Sequence, residues 1–87
     1  MHVAVAAHVR TTVDGDGAVL LDLERGVYLS LNRSGAAIWS ELTAGAAPAD
    51  AAARIAARCS KPVAEVERDV RSFVDELARR GLVRVSG

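Results

Sequence analysis

Apolar and polar residues alternate over the first third of the chain, and beyond Asn32 the apolar positions recur three and four apart. The alternating part reads as sheet. Val3, Val5, Ala7, Val9, Thr11 and Val13 fall on one face of a first strand, with His2, His8, Arg10 and Thr12 on the other. Asp14-Gly15-Asp16-Gly17 follows, and Asp-Gly pairs favour the positive φ of hairpin turns. Ala18 to Leu23 forms a second strand, Glu24-Arg25-Gly26 a turn, and Val27 to Leu31 a third strand. Links this short predict an antiparallel meander with the first and third strands at its edges.

The remainder reads as three helices. Asn32 suits the N-cap of a helix over about Ser34 to Ala44, with Ile38, Trp39 and Leu42 on one face. Pro48 suits the opening turn of a second helix, in which Ala52, Ile55, Ala56 and Cys59 share a stripe. A third helix, about Pro62 to Arg80, carries Val63, Val66, Val70, Phe73, Val74 and Leu77 within one stripe. Gly81 is placed as its C′ stop, with Arg79 and Arg80 opposing the helix dipole. The order β-β-β-α-α-α predicts an α+β fold in which helices cover the apolar face of a three-stranded antiparallel sheet. At 87 residues the chain is expected to form a single domain, 1–87.

Composition narrows the function classes. The formal charge is zero, which argues against a phosphate-binding surface and so against nucleic acid as a partner. One cysteine cannot form an internal disulfide, and no run approaches the ~18 apolar residues that span a bilayer. A cytoplasmic protein with no membrane partner is the expectation. The apolar mass is mostly Ala, Val and Leu, so the single Trp, Tyr and Phe each anchor something, and Trp39 is expected in the core.

Little in the sequence supports catalysis, and no enzyme activity is expected. His2 and His8 read as surface residues, and neither joins a Cys or carboxylate at zinc spacing. Cys59, on the apolar face of the second helix, reads as a small buried hydrophobe. No metal and no cofactor are expected. The alternative class is a winged-helix DNA-binding protein, because three helices and a small sheet build one. Against it, Arg68, Arg71, Arg79 and Arg80 on the third helix interleave with Glu65, Glu67, Asp69, Asp75 and Glu76, the pattern of a solvated, salt-bridged face.

The stretch Leu20 to Trp39, LLDLERGVYLSLNRSGAAIW, together with the later VERDVRSFVDELARRGLV, resembles the PqqD-like family of leader-peptide-recognition domains. The similarity is greatest to the stand-alone version found in lasso-peptide biosynthesis. It is carried by Leu20, Leu21, Asp22, Gly26, Tyr28, Leu31, Asn32, Gly35, Ile38, Trp39, Asp69, Val70, Phe73, Leu77 and Gly81, in that order, and covers the chain from Val9 onward. Arg33 departs from the pattern, in which the position after Asn often leads into a Pro. The resemblance implies a winged-helix-like fold and a non-catalytic adaptor. Such an adaptor, a RiPP recognition element, binds the leader of a ribosomally made precursor peptide. It then presents that peptide to a cysteine-protease-type leader peptidase and an ATP-dependent cyclase. A monomer is expected.

The residues suggest how a peptide would be held. Edge strands are usually blunted by Pro, Lys or bulges, and VYLSL contains neither Pro nor Lys. An extended peptide can add to such an edge as a further strand. The expected site is therefore Val27, Tyr28, Leu29, Ser30 and Leu31 on the strand, facing Val66, Asp69, Val70, Phe73, Glu76 and Leu77 on the third helix. Val70, Phe73 and Leu77 read first as core, although a groove floor can be both. Asp69 is the principal polar candidate unless it pairs with Arg33 or Arg80.

Overall fold

A computed structural model describes residues 1–87, and in it the chain begins with a strand that pairs with its far end. The elements are β1 (His2–Val5), β2 (Val9–Asp14), β3 (Gly17–Asp22), β4 (Val27–Leu31), α1 (Arg33–Thr43), α2 (Pro48–Cys59), α3 (Val63–Arg79) and β5 (Val83–Ser86). Strands β2, β3 and β4 form the expected antiparallel sheet, in that order, with β2 and β4 at its edges. The three helices follow, giving the winged-helix-like α+β arrangement.

Two features differ from the sequence reading. The expected first strand is broken at Ala6–His8 into β1 and β2, where the amide of Val9 donates to the carbonyl of Ala6 at 3.1 Å and turns the chain. The freed β1 then pairs antiparallel with β5, Val3 opposite Val85 and Val5 opposite Val83, as a second small sheet. The Ala6 amide extends that ladder to the carbonyl of Leu82 at 3.0 Å.

The helix boundaries follow from their caps. The Asn32 side chain accepts a hydrogen bond from the amide of Gly35 at 2.9 Å and starts α1, and Pro48 opens α2. α3 ends in a Schellman motif: the Leu82 amide reaches the Leu77 carbonyl at 2.9 Å and the Gly81 amide the Ala78 carbonyl at 3.0 Å. Gly81 sits at φ 73°, the left-handed region that glycine enters without penalty. Leu77 and Leu82, both buried, make the apolar contact that accompanies this motif.

The core has two lobes. Val9, Ala18, Leu20 and Leu31 from the inner face of the sheet pack with Trp39, Leu77, Leu82 and Val83. Ile38 and Leu42 of α1, Ala51, Ala52 and Ala56 of α2, and Val66, Val70 and Val74 of α3 form the second lobe. Phe73 touches both and is half-buried. Burial of each large side chain, Leu20 and Leu77 foremost, contributes about 1.5–3 kcal/mol. Trp39 is in the core as expected, and its indole Nε1–H donates to the hydroxyl of Thr11 on β2 at 2.9 Å.

Cys59 is exposed, contrary to the burial read from its stripe. It is the last residue of α2, and the chain leaves the helix at once through Ser60 at φ 55°. The stripe therefore runs out before Cys59 meets a neighbour, and Ala51, Ala52 and Ala56 supply the buried contacts instead. No helix is long and apolar enough to cross a membrane.

A groove between strand β4 and helix α3

Hydrogen-bond parity decides what the β4 edge presents. The amide of Leu23, just beyond β3, donates to the carbonyl of His8 at 2.9 Å, continuing the β2–β3 register. Odd-numbered β3 residues thus bond to β2, and the alternation of an antiparallel strand turns Ala18, Leu20 and Asp22 toward β4. The carbonyl of Asp22 does accept from the Gly26 amide on that side, at 2.9 Å. Their partners Leu31, Leu29 and Val27 therefore spend their backbone groups inside the sheet. The N–H and C=O of Tyr28 and Ser30 point outward from the free edge.

Side chains divide by the same parity. Val27, Leu29 and Leu31 lie on the inner face of the sheet, with Leu31 buried, Leu29 half-buried and Val27 54 % exposed at the strand's start. Tyr28, opposite Leu21, stands on the outer face and is 69 % exposed, so it anchors nothing within the chain.

Beside this edge runs a groove in two connected parts that meet at Leu29. One part, about 230 Å³, lies between Leu29, Ser30, Leu31 and Asn32 on one side and Phe73, Glu76 and Leu77 on the other, with Gly35 at its end. The other, about 220 Å³, continues past Val27 and Tyr28 to Arg25, Arg79 and Arg80. Leu20 and Leu82, from the core, form its floor. Gly17 fixes the Leu31 end: a Cβ there would fall 2.3 Å from the Leu31 carbonyl oxygen.

Two carboxylates organise the arginines of the groove, and one of them joins its walls through Arg25. Asp22, buried at the end of β3, accepts from the amides of Arg25 and Glu24, each at 3.0 Å, and from the Arg25 guanidinium at 3.2 Å. The Arg25 amide foremost, helped by the Glu24 amide and by the charges of His8 and Arg25, holds the Asp22 carboxyl below the usual range against the opposing effect of burial. Arg25 also donates to the carbonyl of Arg80, which joins the β3–β4 turn to the end of α3. Glu76 accepts from Arg80 Nε at 2.9 Å and from Arg79. The hydrogen bond from Arg80, then the charge of Arg79, lowers its pKa.

Of the residues expected at the site, Val27, Tyr28, Leu29, Ser30, Leu31, Phe73, Glu76 and Leu77 come together around this groove. Val66 and Val70 do not line it; both are buried in the second core lobe, on the α1–α2 side of α3. Asp69 is exposed outside the lining of either part, and Arg80 pairs with Glu76 rather than with it. Sequence reasoning missed Arg25 and the buried Asp22, although a carboxylate placed to cap its own hairpin turn is a readable signal. No three His, Cys, Asp or Glu side chains are placed to hold a metal ion. A separate cleft of about 320 Å³ lies on the other flank of α3, among Pro48, Val70, Val74, Ala78, Met1 and Val85, away from the β4 edge.

The model of the family described as coenzyme PQQ synthesis protein D (PqqD) matches residues 17–83. No curated protein matches the chain. Among solved structures, TbiB1 in complex with the TbiA(beta) leader peptide is 33% identical, with a TM-score of 0.90 over 97% of this chain and 98% of that one. A lasso peptide synthetase B1 complexed with the leader peptide is 27% identical, with a TM-score of 0.89 over 98% of this chain and 100% of that one.

Proposed function

Since the chain belongs to the PqqD-like family of RiPP recognition elements, we propose that it is a non-catalytic adaptor for the leader of a ribosomally made precursor, most simply a lasso-peptide precursor. The leader adds to β4 as a fourth strand and lays alternate side chains into the groove against α3. The observation that carries this reading is the open edge itself. The outward N–H and C=O groups of Tyr28 and Ser30 stand beside a groove floored by Leu20, Leu77 and Leu82. That the two solved relatives were captured with leader peptides supports it.

Magnitudes assign the work. About four edge hydrogen bonds at ~1 kcal/mol each give ~4 kcal/mol, which association costs of ~4–15 kcal/mol absorb. Micromolar affinity, about −8 kcal/mol, then requires apolar anchors at ~1.5–3 kcal/mol each. Strand pairing sets the peptide's register, and the pockets beside Leu29, Leu31, Phe73 and Leu77 read its side chains. Val66 and Val70 support this wall from behind, and Asp69 lies one helical turn before Phe73, where it contacts a peptide that extends beyond Leu31. The adaptor hands the bound precursor to a separate cysteine-protease-type peptidase and to an ATP-dependent cyclase, which break and form the bonds.

The test is a titration of labelled N-terminal segments from short reading frames adjacent to this gene. Saturable binding in the micromolar range or tighter is expected, with amide shifts at Tyr28 and Ser30 in a nitrogen–proton correlation spectrum. If every segment fails to saturate, or the shifts fall on β2 instead, the proposal is refuted.

A further inference from the structure

The groove is chemically lopsided. Its half beside Leu31 is walled by Phe73 and Leu77, whereas its half beside Val27 is ringed by the guanidiniums of Arg25, Arg79 and Arg80. Their side chains are 60%, 72% and 48% exposed, so they stand at the rim, within reach of a ligand. Two carboxylates answer these three cations. Asp22 engages Arg25, and Glu76 engages both Arg79 and Arg80, while Glu24, in the same turn, lies against His8 at 3.4 Å and engages none of the three. The donors are not exhausted either. Arg80 spends Nε on Glu76 and keeps both terminal nitrogens, and Arg25 spends Nη1 while Nε and Nη2 remain. Arg25 is also fixed in place, because Asp22 and the Arg80 carbonyl hold its guanidinium across the gap between the β3–β4 turn and the end of α3.

We propose, resting on the peptide-binding reading above, that this basic rim is a specificity subsite for an Asp or Glu side chain of the bound leader, just beyond the residue that packs beside Val27. A peptide strand advances ~3.3 Å per residue, so one or two residues past the end of β4 bring a side chain level with the arginines. There a carboxylate meets spare guanidinium donors in a planar, forked arrangement suited to two parallel hydrogen bonds. The apolar anchors supply affinity and tolerate one another's replacement. The acidic residue fixes which end of the peptide lies at the turn, because a lysine or arginine in that position faces three guanidiniums that line the groove there. Recognition therefore reads an apolar pair followed on one side by an acid.

Panning a phage-displayed library of random peptides about twelve residues long, ~40 Å when extended, tests this on the purified chain. The displayed peptides are fused at their C-termini, so only side chains supply a carboxylate. The expected selection is of apolar pairs two residues apart, with Asp or Glu enriched on one side only. In the double variant Arg79→Glu and Arg80→Glu the same flank is expected to switch to Lys or Arg. With Arg79→Gln and Arg80→Gln, which retain length and polarity, the enrichment disappears. A representative acidic peptide is expected to bind the glutamine variant about fivefold more weakly than the native chain, with the difference shrinking at high salt. Selected apolar peptides without acidic enrichment, or acidic enrichment unchanged in both variants, overturn the subsite while leaving groove binding in place. Selection of no peptide at all overturns the binding reading and the subsite with it.

Discussion

Replacing Ser30 with proline is the sharpest probe of the β4 edge, because two neighbouring positions on one strand should respond in opposite ways. The parity of the ladder turns the Ser30 amide outward and the Leu29 amide inward, toward Leu20. Proline lacks the amide hydrogen and is tolerated on an edge strand where that hydrogen faces away from the sheet. Ser30→Pro removes one of about four edge hydrogen bonds, and its ring occupies the place of the incoming carbonyl. At ~1 kcal/mol per bond the loss is about 1–2 kcal/mol, a rise of roughly 5- to 30-fold in Kd. Thermal stability should change little. Leu29→Pro, by contrast, breaks a bond inside the sheet and displaces a groove side chain, so it should lower the melting temperature before any effect on the peptide can be read. Fluorescence anisotropy with a labelled leader, paired with thermal melts followed by circular dichroism, separates the two. An unchanged Kd for Ser30→Pro would show that the peptide does not pair with this edge. Loss of stability in Ser30→Pro with Leu29→Pro unaffected would show that the parity is inverted.

Other expectations follow from the same geometry. Leu77→Ala, at a site with no exposure, should cost about 2–5 kcal/mol in urea titrations, and a loss below about 1 kcal/mol would mean that the α3–sheet junction collapses around it. Thr11→Val strands the buried indole N–H of Trp39 and should cost about 1–3 kcal/mol, whereas Thr11→Ser should be near neutral; equal effects would mean that the hydroxyl is not the partner. The carboxyls of Asp22 and Glu76 titrate lower in the folded chain than in the unfolded one. Their stabilisation is thus complete above the ordinary carboxylate pKa and is lost as pH falls through the lowered folded values. Asp22→Asn should flatten that acid limb of the stability profile, and a limb of unchanged steepness would assign it to other groups. Random duplex DNA at moderate salt should give no gel shift; a retarded band whose strength falls steeply with salt would revive the winged-helix DNA-binding alternative.

Local signals carried much of the fold. The Val27–Leu31 strand, the Asn32 cap, the Pro48 start and the Gly81 stop each depend on a few adjacent residues, and each stands where its chemistry puts it. The β1–β5 sheet was illegible because its partners lie at opposite ends of the sequence, and VRVS is too short to announce a strand. The break at Ala6–His8 contains no Gly, Pro or Asn, so alternation ran through it unpunctuated. Half of the groove was legible as an unguarded edge opposite an apolar helix. The stripe on α3 did not reveal which of its members face the sheet: Leu77 packs under β4, Val66 and Val70 turn to α1 and α2, and Phe73 divides between them. Only the crossing of α3 over the sheet assigns those faces, and that is a property of packing.

The β1–β5 pairing also has a practical side. With His2 opposite Ser86, residues 1 and 87 lie side by side, on a sheet separate from the one that carries β4. Adjacent ends of this kind let a fold be spliced into a loop of another protein, or be circularly permuted, with little strain. A short flexible joint between Gly87 and Met1, with new ends opened at the exposed Gly45 turn between α1 and α2, should yield a permutant that keeps its groove.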